Sequence, residues 1–536
     1  MNKKKFFLGA ISLLALMLTA CAGNNPSPSG GESSVAPESK PVEMGGFSNL
    51  QGVDEPVEIH TEEQKAYLEY DGDYSTIPED LYPDGQKHRS DSLPVTISWD
   101  YTPEEGKEVD KFAIVFGQES DLSDGYEVEG NNETTISFYN PYLGTNYYKL
   151  IAKYTDDTQE ETGILQFEVD STYPRNLRID SYTNCRDIGG RTTVDGGKIR
   201  QGLVYRTCGD KYDYSTKLSD EGKKEMVEHL KMKTEAVVAN NSGNDVRLPD
   251  TEVVNCYMDY NGGLHHLSRN AESLKKFISL LADEDNFPVF FHCRIGTDRT
   301  GLCSIVLNGL LGVDLNEIFQ DYLFSNFGYI QEKRYIGDKA GVDNILNYVN
   351  FIRSLPGEKF QNKVYNFLLG VGLTAEILDA VIDNLTEGQT CKGNDAGQVS
   401  APGNKLTPNG LTASTSTTNA HPSTYFVLNS ADKSVSYSFK LEKGIQGEVY
   451  AYLGNSNSNT NKIAAAISCD IDGNALEIND ITYKDAGMGN CSNRMNYFLV
   501  YLGDVNLAAG DHTITITGTS NAMNIGCLSI FDSETR

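Results

Sequence analysis

Cys293 and Arg299 frame the run Cys293-Arg294-Ile295-Gly296-Thr297-Asp298-Arg299-Thr300-Gly301. The apolar segment FPVFFH precedes it and ends in His292, and GLCSIVLNGLLG follows with helical spacing. A strand that feeds a tight loop and then opens a helix is a geometry that cradles a phosphate, because loop N–H groups and the helix N-terminus together attract an anion. The same field stabilises a thiolate, lowering a Cys pKa from about 8.5 into the range of about 3.5–7.5. Cys293 is therefore a candidate nucleophile at neutral pH. Arg299 brings a planar fork able to hold two phosphoryl oxygens. Arg294, Ile295, Gly296 and Thr297 supply the loop amides. Gly296 and Gly301 permit close approach, Thr300 can donate to the sulfur, and His292 can order the loop through its backbone. Cys and Arg at this spacing are weak evidence alone; their place between a strand and a helix gives them weight.

An acid is also needed, within hydrogen-bond reach of the leaving oxygen. Three carboxyls compete. Asp298 lies inside the loop. Asp259, in CYMDYNGG, stands at the end of an expected strand. Asp187 follows Arg186, with which it can form a structural ion pair. His265-His266 hints at a metal, but no third ligand matches, and a solvated loop pair is the expectation. No metal or cofactor is required, since Arg299 and the loop amides can stabilise the equatorial oxygens.

HCRIGTDRTG resembles the HCxxGxDRTG loop of the bacterial tyrosine/serine phosphatase family, Cys-dependent enzymes related to protein tyrosine phosphatases. Two further blocks resemble that family in the same order. Upstream, Asn184-Cys185-Arg186-Asp187-Ile188-Gly189-Gly190 leads through Asp195-Gly196-Gly197 to Gly202-Leu203-Val204-Tyr205-Arg206-Thr207. Downstream come Gly312-Val313-Asp314 and Asp321-Tyr322-Leu323-Phe324-Ser325-Asn326. The resemblance implies a two-step hydrolysis through a phosphocysteine at Cys293, with activity on phosphotyrosine and, in some members, phosphoinositides. It favours Asp298 as the acid. Thr297 departs from the Lys that some relatives carry, which removes a charge suited to inositol head groups; Arg294 partly restores it. TEAVVANNSGNDVRLP also lacks the family's usual Asp-Leu-Arg strand end.

The 536 residues allow three or four domains. Alternating helices and strands over residues 173–388 predict an α/β, protein-tyrosine-phosphatase-like domain. All three blocks and every candidate acid lie inside it, so this segment alone should carry turnover. Short alternating strands over 93–172, with Trp99 and a Leu143-Gly144-Thr145-Asn146-Tyr147 corner, resemble a fibronectin type III β-sandwich. Residues 49–92 are acidic and take no assignment. Residues 389–420 read as a linker. Val435, Tyr437, Phe439 and Leu441 then alternate, and residues 421–536 predict a second β-sandwich. Its ending resembles jelly-roll carbohydrate-binding modules, which implies a surface glycan as partner.

The N-terminus reads as an address. MNKKK, an apolar run from Phe6 to Leu16 and Leu18-Thr19-Ala20-Cys21 resemble a lipoprotein signal over residues 1–21. That implies lipid on Cys21 and attachment to the outer face of a bacterial cytoplasmic membrane. Residues 22–48 read as a flexible tether. Lys plus Arg is 45 against 75 Asp plus Glu, a net charge of −30, which excludes broad nucleic-acid binding. Ten cysteines include no CxxC pair; Cys469 and Cys491 are a possible bridge. The expected activity is hydrolysis of phosphotyrosine-type esters on a protein or small molecule. The rivals are inositol-phosphate or phosphoinositide hydrolysis and, from another class, a surface receptor for phosphate or glycan without turnover.

Overall fold

A central sheet of five strands carries the segment that holds Cys293. Its order is Glu252–Asn255, Thr234–Val237, Val289–His292, Val204–Thr207 and Arg186–Asp187. The first four run parallel, and Arg186–Asp187 closes the edge antiparallel. Val289–His292 lies in the middle and all four of its residues are buried, as a strand covered on both faces requires. His292 stands level with Val237 on one side and Thr207 on the other. The loop that follows it therefore leaves at the carboxyl end of the parallel strands, where open α/β sheets place their ligands.

The coordinates are a computed structural model. They describe residues 42–535 apart from 87–90, 211–215, 240–245, 247, 261–262, 338–344, 389–397, 419–420, 456–461, 480 and 483–495. Residues 43–536 form one compact unit. The lipidation signal with Cys21, the tether up to residue 41, Cys391 and Cys491 lie outside the described residues.

Helices cover the sheet. They are α1 (Glu62–Leu68), α2 (Asp220–Lys224), α3 (Gly263–Leu280), α4 (Asp298–Leu310), α5 (Leu315–Phe324), α6 (Leu346–Ser354), α7 (Phe360–Gly370) and α8 (Ala375–Leu385). α4 is buried on every face, twelve of its thirteen residues being covered, Asp298, Ser304 and Asn308 among them, which makes it a core helix. His265 and His266 fall on the first turn of α3 and not on a loop.

Two β-sandwiches flank this domain. In the first, a three-stranded sheet holds Val95–Tyr101 and a second sheet holds Val109–Gly117 and Gly144–Tyr154. Val95, Ile97 and Trp99 meet Phe112, Ile114, Phe116 and Leu150 in the core between them. The segment without a sequence assignment divides in two. Phe47–Gln51 pairs with Val95–Tyr101 and joins the sandwich, whereas α1 and the turns after it lie on α5. There Tyr67 donates to the Gln320 carbonyl at 2.8 Å and the Tyr74 N–H donates to Asn316 at 2.7 Å.

The C-terminal sandwich begins earlier than the sequence predicts. Val399–Pro402 pairs with Met523–Asp532, and Thr407–Asn409 with Ser434–Leu441. The described part of the expected linker thus supplies strands, too short and too rich in Pro and Asn to show a period. The same apolar core holds Leu307 and Leu368 of the helices together with Leu499 and Leu528 of the sandwich. Polar contacts support the junction: the Ser400 hydroxyl donates to the Leu369 carbonyl at 2.9 Å.

Candidate active site

The loop 293–297 is tight because its carbonyl groups are held from outside. Asn184 Nδ2 lies 3.2 Å from the Ile295 carbonyl and donates at 3.0 Å to that of Gly296. Arg206 Nη2 donates to the same Gly296 oxygen at 2.7 Å. Gly296 has φ +72°, and a Cβ there would stand 2.5 Å from the Thr207 carbonyl oxygen, so glycine is required. Ile295 and Thr297 are buried. With the carbonyls turned away, the concave side is left to N–H groups, the arrangement of an anion nest.

Cys293 is only 1% exposed. Burial opposes ionisation of its thiol, but the Arg299 charge and hydrogen bonding with Thr300 outweigh it, and the pKa falls below that of an ordinary cysteine. Thr300 Oγ1 also accepts the Cys293 N–H at 2.8 Å. Asp298 works the other way, as a nearby anion.

His292 is fully buried and bonded at both nitrogens. Nδ1 lies 2.9 Å from the Cys293 carbonyl and Nε2 2.9 Å from Glu235 Oε1. Burial alone would lower its pKa; the Glu235 carboxylate and the Cys293 carbonyl raise it instead. An imidazolium that donates at both ends fits this geometry. Glu235, like Arg334 and Gln331 below, is a residue that sequence reasoning missed. The available signal was a lone charge inside the strand TEAVVAN, next to the strand that delivers Cys293.

Beneath the loop sits Asp321, 1% exposed. Arg186 Nε donates to it at 2.8 Å, Arg206 Nη1 at 2.7 Å and the Tyr173 hydroxyl at 2.9 Å. Burial pushes the carboxyl up, but Arg186 and Arg206 prevail and hold it well below the usual carboxylate range. Arg206 in turn drops to about 10, because it is buried beside Arg186. One carboxylate thus ties the upstream block, through Arg186 and Arg206, to the downstream block that carries it, and Arg206 reaches on to Gly296 in the loop between them.

The three candidate acids separate. Asp187 does not pair with Arg186. It is fully buried against Arg175 at 3.0 Å and accepts the Gly189 and Gly202 N–H groups at 2.8 and 2.7 Å. It pins a turn. Asp298 is engaged through both oxygens, by Arg334 Nε at 2.9 Å and Nη2 at 3.1 Å. Both oxygens are committed to one guanidinium fork, an arrangement that suits an anchor better than a proton donor. Asp259 is half-buried, with its main chain clamped by Asn270: its N–H donates at 2.7 Å and its carbonyl accepts at 2.9 Å. The neighbouring Tyr260 ring lies 5.8 Å from the Arg299 guanidinium carbon. The Asp259–Tyr260 turn therefore borders the phosphate loop. Arg294, at the mouth of the loop, donates to Gln331 Oε1 at 3.0 Å.

Seven cysteines among the described residues are free and buried, Cys469 included. Burial raises Cys256 to about 12 and Cys469 to about 12. Cys293, with its depressed pKa, stands apart from them.

Comparison with known proteins finds phosphatase similarity over the central part of the chain. A protein of Cupriavidus necator named as a candidate tyrosine-protein phosphatase is 24% identical over 180 residues, covering 28% of this chain and 63% of the relative. The chain thus spans less than two thirds of that relative's length. Among solved structures, the core catalytic domain of a PP-IP phosphatase from S. cerevisiae is 19% identical and covers 26% of this chain and 76% of that one, at a TM-score of 0.20. A CBM36-1 domain of a multidomain xylanase from the hindgut metagenome of Trinervitermes trinervoides is 19% identical and covers 25% and 97%, at a TM-score of 0.19. The sequence model of the tyrosine phosphatase family matches residues 177–237 and 227–388, the segment that contains the phosphate-loop geometry described above.

Proposed function

We propose that the chain hydrolyses phosphotyrosine-type phosphomonoesters through a phosphocysteine. The observation that carries this reading is the buried Cys293 thiol with its depressed pKa, at the carboxyl end of the central strand and beside Arg299. In the first step the Cys293 thiolate attacks phosphorus as the bond to the leaving oxygen breaks. Asp259 gives its proton to that oxygen. Arg299 and the loop amides hold the equatorial oxygens. In the second step Asp259 takes a proton from water, the water oxygen attacks phosphorus, and the P–S bond breaks to release phosphate and the thiolate. Thr300 stabilises the departing sulfur. Asp298 orients the loop through its two hydrogen bonds with Arg334.

The family-matched segment and the name of the relative support the activity; the sequence alone supports the location. In this reading Cys21 carries the lipid and the enzyme faces outward from the cytoplasmic membrane. The first sandwich is a fibronectin-III-like spacer, and the C-terminal one takes a surface glycan. The deciding test is turnover of phosphotyrosine peptide, phosphoserine peptide, phosphoinositide and phytate by the full chain, with mass spectrometry of acid-quenched enzyme. A phosphate adduct on Cys293 with phosphotyrosine as best substrate supports the reading. Turnover without that adduct, or none on any ester, removes it.

A further inference from the structure

The family-matched segment begins at Leu177, yet its active-site wall is held by residues about a hundred positions earlier. The wall is the stretch Ile330–Arg334. It reaches the phosphate loop twice: Gln331 takes the Arg294 guanidinium, and Arg334 clamps Asp298. On its outer side it rests on Tyr82–Gly85. The Gly85 carbonyl accepts the Ile330 N–H at 2.8 Å and the Gln331 N–H at 3.0 Å. Lys333 Nζ donates to the Tyr82 carbonyl at 2.8 Å and to that of Glu79, and stands 4.1 Å from the Tyr82 ring centroid. Tyr82 is 5% exposed and belongs to the apolar core that also holds Leu302 and Leu323. Gln331 has φ +75°, a conformation that a non-glycine residue holds only where its surroundings impose it. Gly85 holds its backbone N–H and Arg294 its side-chain oxygen. Gly85 itself has φ +69°, and a Cβ there would stand 2.5 Å from Ile330 Cγ1, so the contact is shaped for glycine.

We propose that the Tyr82–Gly85 segment positions the phosphate loop, acting through Gln331 and Arg334 to set Arg294 and Asp298. This rests on the phosphatase reading above. Gly85, Tyr82 and Lys333 are positioning residues and touch no substrate. The segment works as a brace: it carries no chemistry, but the wall keeps its shape only while the brace is seated. The physical requirement is strict, because catalytic constellations lose rate when displaced by fractions of an ångström.

The test uses the full chain. Gly85→Ala adds the clashing Cβ, and Gln331→Ala removes the acceptor of Arg294. Vanadate, which mimics the transferring phosphoryl group, reports the loop independently of turnover. Gly85→Ala should weaken vanadate binding and lower kcat on an aryl phosphate, each about 10-fold or more, with KM changing less than kcat and the melting temperature within a few degrees of wild type. The double variant should lose little beyond the worse single one, because both act through one contact. Lys333→Met should show a smaller loss of the same kind, restored by Lys333→Arg. A folded Gly85→Ala chain with vanadate affinity and kcat within twofold of wild type overturns the brace, as do losses that multiply in the double variant. Should Gly85→Ala fail to fold, the Lys333 pair decides by the same readout. A wild-type chain that neither binds vanadate nor turns over an aryl phosphate overturns the phosphatase reading itself, and the brace with it.

Discussion

Single residues divide sharply between those that react and those that hold. Cys293→Ser should abolish turnover and leave the melting temperature nearly unchanged, since only the nucleophile is lost. Arg299→Lys should cost about 100-fold or more in kcat, because a point charge cannot replace a planar fork. The two aspartates should part company. Asp259→Asn should slow esters with poor leaving groups far more than aryl phosphates with good ones, the mark of a lost acid. Asp298→Asn should lower rate without that dependence and should lower stability, because Arg334 is left buried with only the exposed Glu332 as its anion. Equal sensitivity of both variants to the leaving group would assign the acid elsewhere. pH adds an independent readout. The Cys293 pKa is lowered, so its alkylation by iodoacetamide should already be fast at neutral pH. The rate should rise with pH only through that depressed value and then level off. A rate still climbing near pH 9 would place an ordinary thiol there.

Secondary-structure elements hold the loop through charges that they bury between them. Asp321, from α5, receives Arg186 and Arg206 from two strands of the central sheet. Its folded pKa is depressed. It therefore contributes stability that is fully present above its unfolded value of about 3.9 and is lost as pH falls through the folded one. Asp321→Asn should remove that contribution at neutral pH, by about 3–5 kcal/mol, since two buried guanidinium groups lose their anion. A denaturation midpoint close to that of wild type would refute the hub. Glu235 sits in the opposite sense beneath His292, whose raised pKa contributes stability present below about pH 6.5 and lost as pH climbs through the folded value.

What could be read in the sequence follows the same division. The strand, loop and helix around Cys293 are contiguous, so their pattern is local and legible. The partners of the loop are not. Glu235 looks like a strand residue with no special part until the strand Thr234–Val237 is laid beside Val289–His292. Asp187 stands next to Arg186, but side chains of adjacent strand residues point to opposite faces, and each found its partner across the fold. Resemblance favours Asp298 as the acid, but nothing near it in sequence announces Arg334, 36 positions away, on both of its oxygens. Residues 399–409 read as a linker because a three- or four-residue strand is too short to show a period.

At the scale of the whole molecule, the excised segment 173–388 is less self-sufficient than its three blocks suggest. It lacks the Tyr82–Gly85 brace. It also loses α1, with the Tyr67 and Tyr74 contacts to α5, and the sandwich that covers α7. Gly370 has no side chain, and a Cβ there would stand 2.6 Å from Leu499; Phe351 and Phe498 lie 4.5 Å apart, centroid to centroid. Without the sandwich an apolar face large enough to drive association is open to water. The excised segment should therefore be aggregation-prone and turn over an aryl phosphate at least about 10-fold more slowly than the full chain, as size-exclusion chromatography and a rate assay would show. A monomeric, fully active fragment would make both flanks ornamental to catalysis.

Asp321 closes its bonds to Arg186 across 135 positions of chain, and Tyr67 reaches Gln320 across 253. Contacts so distant in sequence form late, because loop closure must precede the gain from pairing. Before they form, nothing turns the loop carbonyls outward or seats Arg299 beside the sulfur, and Cys293 is one ordinary thiol among ten. The reactive form of Cys293 is therefore expected only once the fold is complete. A newly made chain is thus spared a reactive thiolate while its other cysteines are still exposed to it. In a denaturant series, fast alkylation of Cys293 should vanish in the same transition as the near-UV signal of tertiary packing. Fast alkylation that survives past that transition would show the thiolate to be a property of the local loop alone.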